Sequence, residues 1–180
     1  GHGPPAQDDP LVAGKPLAVV ANELQGIRVF DASIPGAPTE LAAWRGAGLS
    51  EPLERVHTAM LANIGGKRIG FGSTETYWNA KPSVYIVDFT DYAHPKSVAQ
   101  WSAPGIADAA GGLLTLHNLQ VVGTRVYVSV WHAGGYVFDV ADPALPRDLA
   151  MRKPAHASTF PEPGAQVTAG SVNIFVDMDG

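Results

Sequence analysis

One short pattern occurs three times in this chain, and it restricts the possible folds severely. Gly26-Ile27-Arg28-Val29-Phe30-Asp31, with Pro35 and Pro38 in the turn that follows, returns as Val84-Tyr85-Ile86-Val87-Asp88 with Pro95. It returns again as Gly135-Tyr136-Val137-Phe138-Asp139 with Pro143 and Pro146. Each copy reads as a short alternating strand that ends in Asp and runs into a proline-bearing turn. Repetition at intervals of this size marks an architecture built from repeated supersecondary units.

The flanking sequence repeats as well. Around the third copy, Leu116–Val122, Arg125–Trp131, Tyr136–Val140 and Arg147–Met151 read as four successive strands joined by short turns. Four sequential antiparallel strands form one blade of a β-propeller. The second copy has the same order: Val56–Ala62, Arg68–Ser73, Val84–Phe89 and Ser97–Trp101. The first supplies Leu17–Ala21, Ile27–Ala32 and Glu40–Trp44, which leaves its innermost strand to be found in the less regular opening residues.

The expected fold is therefore all-β: a propeller of four-stranded antiparallel blades, with three blades and the start of a fourth. The blades span about 14–46, 55–104 and 115–153, with the fourth starting at 171–180, in a single, incomplete domain over 1–180. Ser171-Val172-Asn173-Ile174-Phe175-Val176 matches the Leu116 strand and carries the fourth blade's start. The landmark residues Asp31, Asp88 and Asp139 are spaced more widely than the ~40–45 residues of a compact blade, and the excess falls in 47–54, 75–82 and 105–115. Within the first of these, Ser50-Glu51-Pro52-Leu53-Glu54 reads as one helical turn, with Ser50 as cap and proline near the first position.

Composition narrows the function classes. A net charge of −5 with thinly spread Lys and Arg offers no basic surface for nucleic acid. Cysteine is absent, which removes disulfides, thiolate chemistry and cysteine-bound zinc or iron–sulfur sites. No apolar run approaches the ~20 residues of a membrane-spanning helix. The 20 Gly and 15 Pro suit many strands on tight turns.

The pattern of an apolar second strand, a Gly turn and Asp139-Val140-Ala141-Asp142-Pro143-Ala144-Leu145-Pro146 resembles the LVIVD-repeat propellers of bacterial and archaeal envelope proteins. The first copy matches through Gly26–Pro38, and the second less well, with Tyr92-Ala93-His94-Pro95 at the turn. That resemblance implies an extracellular or periplasmic module without assigned chemistry. Val128-Ser129-Val130-Trp131-His132-Ala133-Gly134 is similar, more weakly, to propellers of the selenium-binding, methanethiol-oxidase type. This second resemblance implies a histidine-bound copper and oxidase activity, although that family's cysteine nucleophile has no equivalent here.

Few residues stand out as candidates for chemistry. His57 and His117 begin innermost strands, which line a propeller's central channel, and His132 lies at a nearby turn. Imidazoles converging there would bind a metal, and the metals open to such a chain are copper, zinc, iron or calcium. Tyr77 and Trp78 lie in the insertion Glu75–Pro82, outside the repeat, as candidate interface anchors. Asp31, Asp88 and Asp139 are expected to hold their turns by accepting backbone N–H groups.

Two functional readings follow. One is a non-catalytic binding or scaffolding module outside the cytoplasm, docked on a larger assembly, which needs no cofactor. Its partners would be other protein chains or the remainder of the same propeller. The other is a metal-dependent, copper-type oxidase-like enzyme with histidines at the central channel.

Overall fold

The computed structural model describes residues 7–75, 82–104, 116–130 and 134–152. They form twelve strands: β1 (Gln7–Asp9), β2 (Val12–Ala21), β3 (Ile27–Asp31), β4 (Thr39–Trp44), β5 (Val56–Ile64), β6 (Lys67–Thr74), β7 (Ser83–Asp88), β8 (Lys96–Ser102), β9 (Leu116–Val122), β10 (Arg125–Val130), β11 (Gly134–Asp139) and β12 (Arg147–Arg152). These make three four-stranded antiparallel sheets, each with its strands in sequence order. The protein is all-β and its sheets are blade-like.

Local chemistry accounts for the repeating unit. Asp31, Asp88 and Asp139 accept the backbone N–H two residues on, from Ser33 at 2.9 Å, Thr90 at 2.8 Å and Ala141 at 2.6 Å. The second oxygen of each faces a cation: Lys15 at 3.2 Å, Lys67 at 3.8 Å and Arg147 at 3.4 Å. Such Asx turns satisfy the second amide beyond the strand, the first being taken by the carbonyls of Pro16, Arg68 and Thr124, so the chain can reverse at once. Each outer strand then carries one extra residue at the same register position: Leu41, Val98 and Leu149. A bulge there bends the edge strand and increases its twist.

The sheets stack in chain order, and burial reveals it. From Ile69 to Thr74 and from Ser83 to Val87 every residue of the second sheet's middle strands is buried. In β3 and β11, by contrast, buried residues largely alternate with half-buried ones. The second sheet is thus covered on both faces, and its neighbours on one. Val19, Ile27, Val29 and Trp44 meet Leu61, Tyr85 and Phe89 at the first junction. At the second, Ile69, Phe71 and Trp101 meet Leu116, Val128 and Phe138. Trp44 lies 5.2 Å from Tyr85, and Trp101 stacks on Phe138 at 4.4 Å and 12°. Each such pair contributes about 0.5–1.5 kcal/mol beyond its burial. The first junction leaves no room on β6: a Cβ at Gly70 would lie 2.5 Å from the Phe89 ring.

The structure modifies three expectations. The first sheet begins at Gln7 rather than near residue 14, because the innermost strand β1 pairs with Leu17 and Pro16. Ser50–Glu54 is not helical. Its backbone is tied across the sheets instead, with Glu54 N donating to Tyr85 Oη at 3.0 Å and Leu49 and Leu53 packed on the core. Gly134, expected in a turn, already pairs with Val130 inside β11. The expected fourth blade at 171–180 lies outside the described residues. Among those residues, no helix is long and apolar enough to cross a membrane.

Candidate metal centre

The first strands of the second and third sheets, β5 and β9, lie side by side. Both break register at the same place. Val56 pairs with Thr74 and Thr58 with Ser73, so His57 is an inserted residue. Leu116 pairs with Val130 and Leu119 with Val128, so His117 and Asn118 together face Ser129. A regular strand sends adjacent side chains to opposite faces, whereas a bulge re-aims one of them. His57 and Thr58 consequently both reach β9. The rings of His57 and His117 sit 4.7 Å apart at 53°, and Thr58 Oγ1 lies 2.7 Å from the His117 carbonyl oxygen.

A third group comes from the residue just after β6. The Glu75 backbone N–H donates to the Arg55 carbonyl at 3.1 Å, which turns the chain back beside β5. The Glu75 carboxylate is buried, and its Oε2 is 2.8 Å from His57 Nδ1, with the two side chains 10% and 16% exposed. Arg55 is directed elsewhere, to Glu23 at 2.8 Å. One potential ligand atom from each of His57, Glu75 and His117 lies within 4.8 Å of the others.

This arrangement suits a cation. Tetrahedral bonds of about 2.0–2.2 Å place ligand atoms roughly 3.3–3.6 Å apart on one ion. The 2.8 Å contact between His57 and Glu75 is a hydrogen-bond distance, so a bound ion would replace that bond and spread the two atoms slightly. Separations of up to 4.8 Å call for a side-chain rotation to draw the set together. Two imidazoles and a carboxylate are a donor set for zinc, iron or copper. Three protein ligands leave a further position for water or a substrate atom, which is the pattern of catalytic rather than structural sites.

Of the residues singled out from sequence, His57 and His117 are therefore brought together. His132, Tyr77 and Trp78 lie outside the described residues. Asp31, Asp88 and Asp139 sit at the opposite end of their sheets from His57, each engaged in its turn. Sequence reasoning missed Glu75, which it placed in the insertion. The repeat carried no signal for it, since Glu75 lies one residue beyond β6, where the pairing with β5 has ended. Thr58 was missed too, because a lone Thr in a strand is unremarkable until its register is known. No protein-family model and no curated protein matches this chain.

Proposed function

We propose that the three sheets are successive blades of a β-propeller and that the protein works through a single transition-metal ion held by His57, Glu75 and His117 at the inner ends of two blades. The convergence of these three side chains, two from separate strands and one from just beyond a third, with Glu75 buried and both histidines half-buried, is the observation that carries this reading. The metal would act as a Lewis acid or redox centre with one position open to a small ligand, so the protein is read as a metal-dependent enzyme. Sequential strand order in each sheet, and a middle sheet covered on both faces, support the propeller.

Elemental analysis of purified protein, followed by calorimetric titration of the metal-stripped chain with zinc, tests the metal reading. One zinc per chain is expected, with binding lost in the double variant His57→Ala/His117→Ala and weakened at least tenfold in Glu75→Ala. A correctly folded wild-type chain that takes up no zinc, copper or iron would remove it.

A second reading, a scaffolding module without chemistry, is favoured by the half-covered outer faces that the first and third sheets show among the described residues. Val20 on β2 and Leu149 on β12 are among the exposed apolar side chains there. Metal-free protein that binds a partner chain through those faces would support that reading instead.

A further inference from the structure

Thr58 occupies a singular position. It follows His57 directly, is 5% exposed, and reaches across to the third sheet. Its Oγ1 lies 2.7 Å from the carbonyl oxygen of His117 and 2.9 Å from Asn118 Oδ1. A hydroxyl has a single proton, so it donates to one acceptor only. The shorter contact, to the His117 carbonyl, takes that proton. With the Asn118 amide turned over, Asn118 Nδ2 donates to Thr58 Oγ1, and every group of the trio is used in a sensible sense. The two bulges are thereby tied together, residue by residue: Thr58 beside His57 is fastened to the backbone of His117 and to its neighbour.

From this geometry we infer that Thr58 is the positioning residue of the metal centre. Its hydroxyl fixes the spacing of the two backbones that carry the imidazoles of His57 and His117 by pinning one bulge to the other. The inference rests on the reading of these residues as a metal site, and it adds a requirement that the ligands alone do not contain. Each histidine belongs to a different sheet, so nothing covalent within a single sheet sets the distance between them. Apolar packing between the sheets is non-directional and holds the junction closed without fixing a ligand spacing to a few tenths of an ångström. A short, buried, directional hydrogen bond does so. Groups that orient ligands in this way typically affect metal affinity by 10–100-fold.

The test uses two substitutions. Thr58→Val keeps the branched shape and removes the hydroxyl, while Thr58→Ser keeps the hydroxyl. Zinc affinity of the full chain, measured by competition with a chromophoric chelator, should fall roughly 10–100-fold in Thr58→Val and stay within about threefold of wild type in Thr58→Ser. The absorption spectrum of the cobalt-substituted protein should change in the valine variant and be restored by serine, an outcome that a purely structural role would not produce. In the metal-free protein, the nuclear Overhauser contact between the His57 and His117 ring protons should weaken in Thr58→Val at unchanged circular dichroism. Equal zinc affinity and identical cobalt spectra for valine and wild type would overturn the inference while leaving the metal site standing. Should the wild-type chain take up no metal, the metal reading itself falls. The ring-to-ring contact then decides the positioning claim alone: its persistence in Thr58→Val refutes it.

Discussion

Replacing Asp9 by alanine should loosen the joint between the first two sheets. Strand β1 is only three residues long, and Asp9 at its end is 3% exposed. Its carboxylate accepts from Arg68 Nε at 2.8 Å, Arg68 Nη2 at 3.1 Å, Tyr92 Oη at 3.3 Å and the Leu11 backbone N–H at 2.9 Å. The Arg68 guanidinium also lies 4.7 Å over the Tyr92 ring. Burial pushes the Asp9 carboxyl up, but the hydrogen bond from Arg68, the Leu11 amide, the Arg68 charge and the Tyr92 hydroxyl together hold it below its ordinary 3.8. Burial, with the Asp9 charge beside it, pushes Tyr92 up to about 12. Removing one partner of a buried ion pair costs about 3–5 kcal/mol, because the other charge is left uncompensated. The Arg68 side chain keeps 13% exposure, so the lower end, about 3 kcal/mol, is expected. At 2–4 °C per kcal/mol for a chain of this size, Asp9→Ala should lower Tm by about 6–12 °C at pH 7. Since Asp9 titrates lower in the folded protein than in the unfolded one, its contribution is complete above about pH 5 and fades as the pH falls below 4. The gap between thermal scans of wild type and variant should therefore narrow in acid. A loss below about 1 kcal/mol at neutral pH, the ordinary value for an exposed pair, or a gap that does not narrow in acid, would refute the reasoning.

Three further outcomes follow from particular contacts. Gly26 has φ +78° and an added Cβ would lie 2.1 Å from the Trp44 carbonyl oxygen, so Gly26→Ala should cost about 1–2 kcal/mol from backbone strain and more from the clash, measurable by urea denaturation. Trp101 donates from Nε1 to Asp148 Oδ1 at 2.7 Å, across the second junction. Trp101→Phe should keep much of the stacking on Phe138 and lose about 1–2 kcal/mol, with little further loss when Asp148→Ala is added. Glu54 carries a buried Oε2 that has no hydrogen-bond partner among the described residues, and burial raises its pKa. A raised carboxyl favours the folded state less as pH rises, so Glu54→Gln should increase Tm at pH 7 and give a smaller gain near pH 4.

Strand content was legible in the sequence because the alternation of Arg125–Val128 records directly which side chains turn inward, while the apolar run Val84–Val87 fits a strand buried on both faces. Turn chemistry was legible for the same local reason: Asp31, Asp88 and Asp139 act on an amide two residues away. The weaker places were those where the deciding partner is distant. Ser50–Glu54 has the residues of a helical turn, yet its backbone is engaged by Tyr85, more than thirty residues further on. Strand β1 has no alternation to announce it and exists by pairing with β2.

The same division runs through the site. The repeat placed His57 and His117 at matching positions of innermost strands, and that much follows from sequence periodicity alone. Whether they face each other depends on two bulges, and a bulge is a matter of register between strands, invisible in either strand by itself. Glu75 joins them only because the chain beyond β6 folds back onto Arg55. Local propensity and period are properties of neighbouring residues, so the chain spells out its strands and turns. Distances between side chains on different sheets are set by packing and register, and the tertiary structure alone turned two separated histidines and an acid into one set.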